Sequence, residues 1–202
     1  DWTRSLDELQ ALCPNLKSVA LVSAWFGDDL RAGYCRFRPG VEVVARLGET
    51  RPWKVGGLNR TTAHLISSGD GGPAYGGTPD DAAIIEAIGD LRSRGLKVVL
   101  YPFVLMDVAD PNGAAEQPAY PWRGRITASP APGLAGTPDG TVAMRTAIDA
   151  LSGTMDVADF TVAGQSVSWT GGDEGYRRFI LHHAALAMAA GGVDGFIIGS
   201  EM

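Results

Sequence analysis

LKSVALVSAWF at residues 16–26 and LKVVLYPFVLM at residues 96–106 are the stretches that decide the fold of this chain. Each is a continuous apolar run rich in β-branched residues, with no alternation of polar and apolar positions. Such runs are typical of strands buried on both faces of a parallel sheet. A third run, VDGFII at residues 193–198, predicts another strand of the same kind.

Helical patterns separate these strands. In TPDD at residues 78–81, Thr78 is the predicted N-cap and Pro79 the first helical residue, with Gly95 closing the helix. Two more helices are predicted, from Val142 to about Leu151 and along residues 176–190. Buried strands that alternate with helices indicate parallel βαβ units, either in a barrel or in an open doubly wound sheet.

The rest of the chain is rich in turn residues, with 27 Gly and 12 Pro in 202 residues. The segments on either side of Pro39-Gly40 predict a short hairpin or turn, and residues 64–67 one further short strand. Residues 107–136 form a long proline-containing loop, and loops of this length are usually functional. The three apolar strands and one further strand are about half of the eight strands in a (βα) barrel. The sequence therefore predicts the front half of such a barrel.

Composition excludes several classes of protein. The chain is 45% apolar and 20% charged, which suits a globular domain with a substantial core. A net charge of −6 without a basic stripe argues against a nucleic-acid surface. There is no signal-peptide pattern at the N-terminus and no apolar run of about 18 residues, so we expect no membrane span.

No cofactor or metal site is expected. Cys13 and Cys35 lack metal-ligand spacing, and they are either two free or buried thiols or, in an extracellular setting, a disulfide. His182 and His183 are adjacent and therefore point in different directions on a helix, whereas helical metal ligands usually stand four residues apart. We interpret these two residues and His64 as core or surface histidines.

Candidate site residues follow from the rule that sites in parallel α/β folds lie at the carboxyl ends of the strands. Glu201 comes directly after the third strand, behind the small residues Gly199 and Ser200, and Asp107 ends the second. Two carboxyl groups of this kind serve glycoside hydrolysis, one protonating the leaving oxygen and the other acting as nucleophile or base. The alternative is structural: each caps a helix or pairs with an arginine.

Aromatic and basic residues accompany these carboxylates. Trp25 and Trp122 could stack on sugar rings, or they could be ordinary core residues. Arg123 and Arg125 could bind a carboxylate or phosphate, or pair with Asp107 to hold the long loop. Asp28 follows the first strand and belongs to the same candidate substrate-binding set.

Five blocks of the sequence carry a resemblance to a known family. They are WFGDDLRAGYCRFRPGVE (25–42), AYGGTPDDA (74–82), RGLKVVLYPFVLMD (94–107), PWRGRIT (121–127) and YRRFILHHAALAMAAGGVDGFIIGSE (176–201). Together they resemble the TIM-barrel-like domain of the large tail-tip protein of gene transfer agents, and related domains occur in host-specificity proteins of tailed phages. PWRGRIT and AGGVDGFIIGSE are the most specific parts of the match.

The resemblance implies a glycoside-hydrolase-like (β/α)8 barrel on a phage-like particle, with residues 1–202 as a partial domain within a longer chain. The family's domain continues beyond GSE, often with leucine where this chain has Met202. Glu201 looks like the acid/base glutamate of retaining glycosidases, and Asp107 and the PWRGRIT loop would line the same mouth. The implied partners are other tail or baseplate subunits and a host cell-surface glycan.

Two functional hypotheses result. The favoured one is a tail-tip or baseplate component, made in the bacterial cytoplasm, whose barrel contacts envelope glycan during attachment or entry. The alternative is an active glycosidase that cleaves envelope polysaccharide or peptidoglycan, with Glu201 as general acid/base. An ordinary cytoplasmic α/β enzyme is a third interpretation, without a specific motif behind it.

Overall fold

The computed structural model describes residues 1–69, 71–108, 117 and 125–199. Its elements, in chain order, are α1 Trp2–Leu12, β1 Ser18–Gly27, β2 Phe37–Arg38, β3 Gly40–Val41, β4 His64–Leu65, β5 Ser68–Gly69, β6 Gly72–Pro73, α2 Asp81–Ser93, β7 Lys97–Met106, α3 Val142–Ser152, a 3₁₀ turn Val157–Asp159, β8 Phe160–Ala163, β9 Ser166–Trp169, α4 Tyr176–Ala189 and β10 Gly195–Phe196.

The main sheet has the strand order β10-β7-β1-β2. β1 and β7 pair in parallel along their whole length, from Ser18 opposite Lys97 to Gly27 opposite Met106. β10 pairs in parallel with the other edge of β7. The three predicted strands are therefore confirmed as parallel neighbours in chain order, although β10 is shorter than residues 193–198. None of the sheets among the described residues closes into a barrel.

Helices cover one face of this sheet. Val98 and Leu100 of β7 pack in a buried cluster with apolar residues of α2 and α4. Tyr101 and Phe103 of β7 lie on the opposite face of the sheet and are half-buried. Val22 of β1, also on that face, is 50% exposed. The expectation of burial on both faces is therefore wrong for these strands, because the described helices pack against one face only.

The start of α2 corrects a predicted cap. Asp80, not Thr78, is the N-cap, and its carboxylate accepts the Ala83 N–H at 3.1 Å. The Thr78 hydroxyl instead donates to the Ala24 carbonyl at 2.7 Å and accepts the Gly40 N–H at 3.0 Å. Because the sheet backbone takes up this hydroxyl, Thr78 ties the loop to β1 and the helix begins later.

The predicted end of α2 is confirmed. Gly95 has φ +76°, a left-handed conformation that favours glycine. The Leu96 N–H donates to the Leu91 carbonyl and the Gly95 N–H to the Arg92 carbonyl, which is the Schellman pattern. This tight end lets the chain enter β7 at Lys97 without a longer loop.

The hairpin predicted around Pro39-Gly40 is wrong. β2 pairs antiparallel with the end of β1, whereas β3 pairs in parallel with β4, so the two flanking segments have different partners. The short strand predicted at residues 64–67 is confirmed as β4. Sequence patterns did not reveal α1 or the β8–β9 hairpin, which turns at Gly164-Gln165.

A second buried cluster lies at the carboxyl ends of β1 and β7. Trp25, Phe37, Trp53, Met106 and Phe179 are among its members. It forms the floor beneath the strand ends where the candidate site residues lie. Within the part of the chain that the structure describes, no helix is long and apolar enough to span a membrane.

Candidate functional site

The carboxyl ends of β1 and β7 bring three aspartates to one edge of the sheet. The Asp107 N–H donates to the Gly27 carbonyl at 2.8 Å, so the ladder between the two strands continues one step past their ends. Asp28 and Asp29 follow Gly27 directly. Asp28 and Asp107 therefore follow the ends of two neighbouring strands at this edge.

Asp107 is the most enclosed of these carboxylates, with a side chain that is 0% exposed. Its Oδ2 lies 2.7 Å from His64 Nε2 and accepts the Ser67 N–H at 3.0 Å. Burial raises the pKa of Asp107, but the hydrogen bonds from His64 and Ser67 outweigh it and hold the pKa below the ordinary value. The carboxyl group is therefore ionised at neutral pH.

The second oxygen of Asp107 is unusual. Oδ1 is buried and has no hydrogen-bond partner among the described residues. Buried polar atoms are normally paired, because leaving one unpaired costs about 1–3 kcal/mol. Such a cost at a strand end marks Asp107 as a candidate site residue, independently of its position in the sequence.

His64 is the site residue that sequence reasoning missed. Because ionised Asp107 only accepts hydrogen bonds, His64 Nε2 carries the proton and donates it. In the neutral ring Nδ1 is then unprotonated, and it has no hydrogen-bond partner among the described residues, while the side chain is 16% exposed. No sequence signal links the two residues, which lie 43 positions apart and meet through the β3–β4 pairing.

The two aspartates after β1 are bound by arginines. Asp28 accepts from Arg38 Nη2 at 2.6 Å and from the Arg36 N–H at 2.9 Å. Asp29 binds Arg31 through both carboxylate oxygens. Burial raises the pKa of Asp29, but the hydrogen bonds and the charge of Arg31 lower it by more. The pKa of Asp29 therefore lies below its ordinary value. Both carboxylates are thus largely engaged within the protein.

Trp25 is not available for ring stacking. Its side chain is fully buried, because its position in β1 turns it towards the helix-covered face. Trp169, Phe179 and His182 surround it, with ring centroids 5.2–5.8 Å away. Arg178 lies over the ring at 5.7 Å. The other interpretation of Trp25, as a core residue, is the one that fits.

The long loop returns to the same edge. Thr127 forms a parallel bridge with Arg31, and its N–H donates to the Leu30 carbonyl. Arg125, two residues earlier, is exposed, and the described partners of Asp107 do not include it. Trp122, Arg123 and Glu201 lie outside the described residues.

The other predicted core histidines are confirmed. His183 is fully buried; Nδ1–H donates to the Phe179 carbonyl and Nε2 accepts from the Ser23 hydroxyl. Burial lowers the pKa of His183 to about 3, so the ring is neutral. His182 lies 2.9 Å from buried Asp81. Among the described residues, no group of three or more metal-ligand side chains comes together.

The two cysteines are free thiols, which removes the disulfide alternative. Cys13 is exposed at the end of α1, and Cys35 is buried beneath the sheet edge. Burial raises the pKa of the Cys35 thiol to about 12. Cys35 is therefore protonated and unreactive at neutral pH.

Comparison with known proteins supports the resemblance seen in the sequence. The family model described as the GTA TIM-barrel-like domain matches residues 174–202. The match covers α4 and β10, and it confirms the resemblance over that segment. No curated protein matches the chain.

Proposed function

We propose that this chain, related to gene transfer agents through the domain matched at residues 174–202, belongs to the tail tip of a phage-like particle and contacts host envelope glycan. The observation that carries the proposal is that the matched segment and the candidate site lie on neighbouring strands of one sheet. The matched segment contains β10, and its sheet neighbour β7 ends in the Asp107–His64 pair.

The sheet supports the finer part of the proposal, the front half of a (β/α)8 barrel of glycoside-hydrolase type. Parallel strands follow one another in chain order, as successive barrel strands do. Helices cover one face, and the opposite face carries the half-buried apolar side chains of Val99, Tyr101, Phe103 and Leu105. Such a face suits the interior of a barrel completed by further strands of a longer chain.

The sheet edge offers groups that bind sugars. A glycan presents hydroxyl groups and apolar ring faces, and sites for such ligands combine a few fixed polar groups with aromatic rings. The partly exposed His64, held by the buried Asp107, supplies a fixed polar group. The half-buried Tyr75, whose hydroxyl donates to the Met106 carbonyl at 2.8 Å, supplies an aromatic ring. Trp122, Arg123 and Arg125 remain in the proposed set of substrate-binding residues.

The particle assignment is tested by fractionation. The parent protein is expected in purified particles, labelled by antibody at one end of the tail, together with other tail or baseplate subunits. Synthesis in the bacterial cytoplasm precedes assembly. If the protein is absent from purified particles while remaining abundant in the cell lysate, the proposal is wrong.

A second candidate function is glycosidase activity, with Glu201 as the general acid/base. The favouring observation is that Asp107 stays ionised, as the nucleophilic or stabilising member of a carboxylate pair must. Glu201→Gln is expected to abolish sugar release from purified envelopes, whereas the exposed control Asp139→Asn leaves it intact. Unchanged release by Glu201→Gln would refute the role.

The geometry of that pair has its own test. A carboxyl–carboxyl separation of about 5–5.5 Å indicates a retaining enzyme and about 6.5–9.5 Å an inverting one. A crystal structure of the complete domain measures this separation for Glu201 and Asp107. If no second carboxylate lies within that range of Glu201, catalysis by this pair is contradicted.

A further inference from the structure

We infer that His64 is the ligand-facing residue of this sheet edge, held by Asp107 so that its Nδ1 accepts a hydrogen bond from a glycan hydroxyl group. The inference rests on the proposed function and deepens it by naming the contacting atom. It concerns binding and requires no cleavage of the glycan.

Backbone hydrogen bonds fix the position of His64 in the fold. His64 lies opposite Gly40 in the β3–β4 pair, its N–H donates to the Pro39 carbonyl at 3.2 Å, and the Ile66 N–H donates to the Val41 carbonyl at 3.0 Å. Thr78 in turn binds the Gly40 N–H and the β1 carbonyl of Ala24. His64 is thus attached to the main sheet through a short chain of hydrogen bonds.

Asp107 fixes the orientation of the ring. Its Oδ2 binds both His64 Nε2 and the Ser67 N–H, so the acceptor is itself held in place. The Phe26 ring lies against the imidazole, with centroids 6.1 Å apart. A ring restrained at Nε2 and on one side has a fixed orientation, which lowers the entropy lost when a ligand binds at Nδ1.

The three histidines of the chain, all within the described residues, differ in how their ring nitrogens are bonded and exposed. Both ring nitrogens of His183 are bonded inside the protein. His182 is buried, and its Nδ1 is enclosed without a partner. His64 combines a carboxylate at one nitrogen with exposure of the ring. That combination leaves an acceptor for a hydroxyl donor.

The unpartnered Oδ1 of Asp107 is a second, independent observation. A carboxylate that served only to fix the loop would gain stability from a donor at both oxygens. Here one oxygen is left buried and unpaired beside the ring. Unsatisfied groups of this kind are uncommon in native proteins, so the Asp107 carboxylate is not placed for loop stability alone.

The test uses a variant that separates the two bonds of the imidazole. In His64→Gln the side-chain amide keeps an N–H donor for Asp107 near the Nε2 position and removes the Nδ1 acceptor. Retention of the protein is measured on two probes, purified peptidoglycan sacculi and isolated envelope polysaccharide. Leu65→Ala, an exposed change at the neighbouring residue, is the matched control.

Loss of one hydrogen bond to the ligand predicts about tenfold weaker retention for His64→Gln and wild-type retention for Leu65→Ala. Carbethoxylation with diethyl pyrocarbonate, mapped by mass spectrometry, gives a second measurement. It is expected to modify His64 in the free protein, to spare His182 and His183, and to be blocked at His64 by the retained polysaccharide.

The outcomes separate the two proposals. If the wild-type protein is retained on neither probe, the proposed glycan contact fails. If the wild-type protein is retained, but His64→Gln binds equally well and bound glycan leaves His64 open to modification, the inference about His64 is overturned and the glycan contact stands. A free protein whose His64 resists modification also overturns the inference.

Discussion

Two carboxylate–histidine pairs of nearly equal length occupy different regions of this protein. Asp107–His64 spans 2.7 Å at the edge of the sheet, and Asp81–His182 spans 2.9 Å between α2 and α4. His64 is 16% exposed, whereas His182 is 1% exposed. The two pairs contain the same residue types, so their different burial decides that one faces a ligand and the other holds two helices together.

The surroundings of the buried pair explain its structural role. Asp81 also accepts the Gly56 N–H at 2.9 Å, which joins the loop before α2 to the helix. Trp169 of β9 meets the His182 ring edge-on at 5.2 Å. Hydrogen bonds therefore link α2, α4 and the Gly56 loop, Trp169 of the β8–β9 hairpin packs against the same ring, and the His182 and Asp81 side chains are closed to a ligand at 1% and 4% exposure.

The largest expected effect comes from breaking the buried pair. Asp81→Ala leaves two buried donors, at His182 and at the Gly56 N–H, without their acceptor, and each unsatisfied buried donor costs about 1–3 kcal/mol. Urea unfolding measures the loss. Asp80→Ala removes the N-cap of α2 and an ion pair with the exposed Arg51, and it is expected to cost about 1 kcal/mol. Equal losses for the two variants would show that the Asp81–His182 pair does not hold the helices.

The Gly56 position gives the next largest effect. A Cβ there would overlap the Trp169 ring, and φ of +58° adds strain for any other residue. We expect Gly56→Ala to lower the free energy of unfolding by about 3 kcal/mol. Gly48→Ala, with φ +76° and open space around it, controls for backbone strain alone at about 1 kcal/mol. A Gly56 loss no larger than the Gly48 loss would place Trp169 elsewhere.

His183 makes stability depend on pH. Its pKa falls from 6.5 in the unfolded chain to about 3 in the folded protein, so below pH 6.5 the unfolded state binds a proton that the folded state does not. Stability is therefore lost as the pH falls from 6.5 towards 3. At pH 5 the contribution is about 2 kcal/mol, since one pKa unit corresponds to about 1.4 kcal/mol.

Thermal unfolding of wild type and His183→Gln at pH 7.5 and pH 5 isolates this contribution. The variant is expected to show a smaller loss of stability on acidification, by about that amount. An identical pH dependence in both proteins would mean that the His183 ring is accessible to protons, contrary to its burial.

The smallest expected effect is at the Asp107–His64 pair. Asp107→Asn removes the charge but keeps an oxygen that can accept from His64, so the free energy of unfolding should fall by only about 1 kcal/mol. Because the pKa of Asp107 lies below its ordinary value, its ionised form stabilises the fold above that value, and this stability is lost on acidification. Chemical unfolding at pH 7 measures the Asp107→Asn loss, and one as large as that of Asp81→Ala would remove the contrast between the pairs.

Sequence patterns predicted the parts of the fold that depend on local periodicity. β1, β7, α2 and α4 are long enough for their apolar spacing to specify them. Glycine-rich ends also gave clear signals, as at Gly95. A short strand was predicted where β4 lies, but its parallel pairing with the two-residue β3 was not, because that pairing depends on contacts made elsewhere, such as that of Thr78.

The candidate site shows the same difference between local features, which the sequence reveals, and non-local contacts, which it does not. Asp107 was predicted because it directly follows a buried strand, and that position is visible in the sequence. His64 was not, since only the non-local β3–β4 pairing brings it to Asp107. The residue type of Trp25 left sugar stacking and core packing open, and its position in the strand, which turns it towards the helices, decides for the core. A strand's end can be located from sequence, whereas the partners at that end depend on tertiary packing.

The most direct test of the account compares glutamine variants of the two pairs in one experiment, with the free energy of unfolding and retention on envelope polysaccharide measured for each. The predicted result is that His64→Gln loses about tenfold in retention while staying within about 1 kcal/mol of wild-type stability, whereas His182→Gln loses stability but its folded fraction is retained normally. The contradicting result is wild-type retention by His64→Gln, or weakened retention by the folded fraction of His182→Gln.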